Sequence, residues 1–68
     1  MSDEEFIDDF ERRLIPDRAL FSIDEINRLL LLAGKPLYPK MPSPCMVLSR
    51  SFDLTVTLAR DRIREQQQ

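Results

Sequence analysis

The sequence predicts an all-α fold: a small three-helix domain built from a helical hairpin, a Pro-rich strap and a C-terminal helix. Three observations carry this expectation. Ser2/Glu5 and Ser22/Glu25 both have capping-box spacing ahead of apolar residues at helical intervals. The single glycine, Gly34, and four of the five prolines follow the second of these segments directly. The chain from Ala59 onward is written in strong helix formers, Ala, Arg, Glu and Gln.

The first helix is expected over about residues 3–14. Phe6, Ile7, Phe10 and Leu14 form its apolar stripe, acids crowd its first turns, and Arg12 and Arg13 sit in its last. Asp8–Arg12 and Asp9–Arg13 are acid-first pairs four residues apart, each adding a few tenths of a kcal/mol, about 0.3. Pro16 ends this helix. The short link to Phe21 predicts that the first two helices pack as a hairpin.

The second helix, about residues 23–33, is the best-defined segment. Ser22 and Glu25 cap its start, and Phe21 and Ile26 have the spacing of a hydrophobic staple. Gly34 suits a left-handed C-terminal cap, and Pro36 blocks continuation. Ile23, Ile26, Leu29, Leu30 and Ala33 share one face, whereas Leu31 and Leu32 point away from it. These two leucines are covered by the following segment or meet a partner.

Residues 34–46 form a Pro-rich connector that excludes a helix and discourages a central strand. It reads as an extended strap in which Leu37, Tyr38 and Met41 lie over the helix pair. Two PxxP spacings occur within it, a weak match to ligands of aromatic grooves.

The last segment admits two patterns. As a helix over about residues 51–66 it buries Phe52, Val56, Ala59 and Ile63. As a strand over residues 51–59 it alternates Phe52, Leu54, Val56 and Leu58 with polar positions, giving an alternative α+β fold. The helix is favoured, since a strand would need a partner and the Pro-rich segment is a poor one. On the helix, Leu54 and Leu58 lie opposite the buried face and argue for an oligomer or an obligate partner. Residues 66–68, all glutamine, are expected to be a frayed end.

Sixty-eight residues make a single domain, with little core to spare. One cysteine, Cys45, allows no intramolecular disulfide, and the lack of histidine disfavours a zinc site. Ser-His and Cys-His chemistry is likewise unavailable, and one glycine cannot build a phosphate-binding loop. Cys45 has no activating neighbour that sequence can name. Glu4, Asp8 and Glu11 lie along one side of the first helix, where a solvated acidic face is the expectation rather than a cation site. The expectation is therefore no enzyme, no cofactor and no metal.

The formal net charge of −2 gives no bulk attraction to nucleic acid or an anionic membrane. Charge is unevenly placed: residues 1–34 hold nine acids and four bases (−5), residues 35–68 three acids and six bases (+3). Such asymmetry favours contact between the two halves, within a fold or between subunits. Arg60, Arg62 and Arg64 point in different directions on a helix, which disfavours a nucleic-acid footprint. The longest apolar run is Leu29–Ala33, and no basic-then-apolar leader precedes it. A cytoplasmic location without membrane association is expected.

What remains is protein binding. The candidate partner-binding residues are Phe6, Phe10, Leu31, Leu32, Leu54 and Leu58. Phe6 and Phe10 on their acidic helix suit a basic-rimmed apolar groove, although the domain's own core claims them equally well. The leading expectation is a small regulator or inhibitor that occupies a partner's surface, with a homo-oligomer, a dimer first, as a further partner. A structural or assembly subunit is the second reading. Size and chemistry would suit an accessory protein of a virus or plasmid.

Overall fold

A computed structural model describes residues 1–66 as three helices and a two-stranded antiparallel sheet. The order is α1 (Asp3–Arg13), β1 (Arg18–Phe21), α2 (Ile23–Ala33), β2 (Cys45–Leu48) and α3 (Ser49–Gln66). The frayed end expected at residues 66–68 lies, beyond Gln66, outside the described residues.

Both capping boxes form. The Glu5 amide donates to Ser2 Oγ and the Ser2 amide to Glu5 Oε1, at 3.2 and 3.4 Å. The corresponding contacts of Ser22 and Glu25 are 3.1 and 3.0 Å. Gly34 closes α2 in a left-handed conformation (φ 74°, ψ 25°). Its amide donates to the Leu31 carbonyl and the Lys35 amide to the Leu30 carbonyl, the paired bonds of a Schellman motif. The α2 bounds thus coincide with those read from its caps.

Two expectations are corrected. The all-α fold gains a short sheet: β1 and β2 pair in the register Arg18–Leu48, Ala19–Val47, Leu20–Met46 and Phe21–Cys45. The strand of the alternative α+β reading is not the one that forms, because residues 51–59 are helical within α3. The strands occupy the α1–α2 link and the end of the connector. Pro44 sits just before the ladder, so no proline interrupts its hydrogen bonds. The Ser49 amide, donating to the Asp17 carbonyl at 2.7 Å, prolongs the contact past Leu48. Asp17 takes a positive φ of 89° there, a conformation that aspartate tolerates better than most residues.

The second correction concerns the hairpin. The main helix packing is α2 on α3, with α1 against α3, rather than α1 on α2. β1 replaces the expected tight link between the first two helices. Side chains still join them: Arg13 reaches Glu25 at 2.5 Å and the Leu20 carbonyl at 2.7 Å, and Arg28 reaches Asp3 at 3.0 Å.

One core serves the described residues. Phe10 stacks on Phe21 with ring centroids 4.0 Å apart and meets Phe6 and Phe52 at tilted angles. Around them lie Ile7, Leu14, Ile26, Leu29, Leu30, Ala33, Val47, Val56, Ala59 and Ile63. Such aromatic contacts add about 1 kcal/mol each beyond their burial.

The connector between α2 and β2 is tied down by polar contacts while its apolar side chains stay exposed. Asn27 brackets Tyr38, accepting from its amide at 2.8 Å and donating to its carbonyl at 3.1 Å. Ser43 Oγ accepts from the Ile23 amide, one of the otherwise unpaired donors at the start of α2. Leu37, Tyr38 and Met41 therefore do not cover the helix pair; they face solvent.

Candidate functional site

The six candidate residues separate into three environments. Phe6 and Phe10 belong to the core, and Arg28 lies over the Phe6 ring at 4.4 Å. As the chain is folded, α1 cannot offer these rings to a groove. Leu32 is half-buried against the core. Leu31, Leu54 and Leu58 are exposed, at 65%, 77% and 43%. Leu54 and Leu58 are one turn apart on α3, hence stacked on one face. The opposite face of that helix carries Phe52, Thr55, Val56, Ala59 and Ile63, all buried. Thr55 meets this burial by accepting a hydrogen bond from Lys35 Nζ at 3.0 Å.

Charged candidates resolve into structural contacts. Arg60 donates to Asp8 at 2.7 Å and to Glu11 at 3.0 Å, clasping α1 to α3. The Asp8 contact holds the Arg60 guanidinium above its ordinary pKa, against a smaller downward effect of burial. Arg62 Nε donates to the Leu32 carbonyl at 3.1 Å, placing positive charge at the C-terminal end of α2. Arg64 lines a shallow cleft together with Arg60, Glu4, Ile7 and Asp8. Arg60 and Arg64 thus share one cleft with acidic residues of α1, while Arg62 is turned onto α2, so the three arginines form no single basic patch. Two of the acidic stripe, Asp8 and Glu11, are turned onto Arg60, and no cluster of three metal-ligating side chains occurs among the described residues.

Cys45 is half-buried, and its thiol donates to the Pro42 carbonyl at 3.4 Å. The Glu25 carboxylate is shifted by its surroundings. Burial pushes its pKa up, but the Ser22 amide and Arg13 together outweigh this and leave it below the ordinary value. That arrangement stabilises a charged cap. No helix of the described residues is long and apolar enough to cross a membrane.

Sequence reading missed one exposed apolar pair, Leu20 and Met46. They are cross-strand neighbours on the outer face of the sheet, while Phe21 and Val47 face the core. The signal was the four-residue alternation in Arg-Ala-Leu-Phe and Cys-Met-Val-Leu, too short to outweigh the neighbouring prolines. No protein-family model matches the chain, and neither do any curated proteins or solved structures.

Proposed function

We propose that this domain is a non-enzymatic protein-binding module, a small regulator or inhibitor that acts by occupying a partner protein's surface. The outer row of α3, Leu54 and Leu58, is its contact surface. One observation carries this reading: the inward face of α3 completes the core without either leucine, and both remain exposed. Exposed apolar side chains aligned on one helix face are a feature of docking surfaces. A cytoplasmic setting belongs to the same reading.

The test compares tagged wild type with Leu54→Ser/Leu58→Ser in a pull-down from host lysate, read by mass spectrometry. One heterologous partner held by the wild type and lost by the folded variant is the expected result. Equal recovery by both proteins would remove the row from the binding surface. A structural subunit is the second reading, favoured by the unpaired outer edge of each strand in a two-stranded sheet. It predicts large complexes containing only this chain.

A further inference from the structure

We infer that the outer face of α3 is self-complementary and pairs with the same face of a second copy, antiparallel, about a two-fold axis. This rests on the reading of that face as a binding surface: the second copy covers it in the resting state, and a heterologous partner must displace that copy to bind. The face holds more than two leucines. Arg50, Leu54, Leu58, Asp61 and Glu65 are all exposed. Leu54, Leu58, Asp61 and Glu65 follow the four-three-four spacing of a helix-pairing seam, with Arg50 one turn before Leu54. Positive charge therefore lies at one end of the stripe, negative charge at the other, and the apolar pair between them. None of the three charged side chains makes an ion pair among the described residues, whereas Arg13, Arg28 and Arg60 all do.

Antiparallel pairing uses this polarity. The midpoint of Leu54 and Leu58 is Val56, and the midpoint of Arg50 and Asp61 lies between Thr55 and Val56. One axis opposite that point sets Leu54 of each copy against Leu58 of the other. It also brings each Arg50 beside the other copy's Asp61, about 16 Å along the helix from its own. Parallel pairing would instead set like charges side by side. Because the interface is isologous, every contact occurs twice. Arg18 lies beside Arg50 on a shallow cleft and adds to the positive end, with Asp17 partly offsetting it.

A single helix stripe reaches only the small end of specific interfaces, on the order of 1,000 Å² in total. A reversible rather than a permanent dimer is thus expected.

Sedimentation equilibrium of the full chain, from micromolar to millimolar concentration, reads the association directly. Wild type should pass from monomer to dimer, with no larger species. Leu54→Ser/Leu58→Ser should raise the dissociation constant at least about tenfold, since both leucines count twice. R50E and D61R should each weaken the dimer by about tenfold, each placing two like-charge contacts across the axis. Mixing R50E with D61R should recover the dimer, because both cross-axis contacts are then between opposite charges. Folding defects cannot produce that recovery, and circular dichroism checks each variant separately.

A wild type that stays monomeric at millimolar concentration would overturn the inference. So would a mixture no better associated than its components, or a dimer indifferent to the leucine pair. Should the chain be monomeric while Leu54→Ser/Leu58→Ser still loses a heterologous partner, the proposed function stands and only the self-pairing fails.

Discussion

Gly34 answers to two demands at one position. Its φ of 74° is a backbone conformation that side-chain-bearing residues adopt only with strain. A Cβ there would also come within 2.8 Å of the Arg62 guanidinium. Arginine is flexible and can swing aside, but it would then give up its hydrogen bond to the Leu32 carbonyl. Gly34→Ala is therefore expected to cost about 1–2 kcal/mol, the sum of backbone strain and a lost carbonyl contact. Denaturant unfolding of G34A, R62A and the double variant separates the two parts. In the R62A background the cost of G34A should fall, leaving the backbone part alone. Strict additivity of the two costs would show that Arg62 takes no part. The glycine's capping role was legible in sequence; the approach of Arg62 was not, because it depends on how α3 crosses the end of α2.

At the scale of elements, α2 is fixed at both ends and on one flank. Glu25 is central to this: it closes the capping box with Ser22 and receives Arg13 from α1. Its folded-state pKa is depressed, so its contribution is complete above about 4.5 and declines as pH falls through the lower folded value. Glu25→Gln preserves the cap geometry and removes the charge. At neutral pH it should cost less than about 1 kcal/mol, since the pair is partly solvated. Below pH 4.5 the wild-type and E25Q stabilities should converge; parallel acid-unfolding curves would refute the assignment. The helices were legible because caps and three-to-four spacing are local signals. The sheet was not. Each strand has four residues, and its partner lies across α2 and the connector, so only tertiary contact decides that Phe21 and Val47 turn inward together. The fate of residues 51–59 was decided the same way. Both periods fit those residues, and the helix places Phe52, Val56, Ala59 and Ile63 on the common core. Leu54 and Leu58 were legible as an outer row once the helical period was assumed. The exposed Leu20–Met46 pair required strands that no local pattern identified.

For the whole molecule, the opposed charges of the two halves find their contact at Arg60, which joins the acidic α1 to the C-terminal helix. The Arg60 side chain is 27% exposed, whereas Asp8 and Glu11 are 55% and 61% exposed. Solvent screening of the carboxylates keeps the stabilisation small, and the forked geometry of the guanidinium keeps it above that of a lone surface pair. Removing the charge by R60M should cost about 1 kcal/mol at low ionic strength, measured by urea unfolding. Methionine retains an apolar stem, so the variant isolates charge from packing. Raising salt to about 1 M shortens the screening length to roughly 3 Å, and the difference between wild type and R60M should then shrink. A difference that persists in high salt would place the contribution in the hydrogen-bond geometry of the clasp rather than in the attraction between the halves. That outcome would leave the uneven charge of the sequence without a role inside the monomer. The charges at Arg50, Asp61 and Glu65 lie outside this clasp, so the two electrostatic systems separate: R60M should alter unfolding without altering self-association, and R50E the reverse.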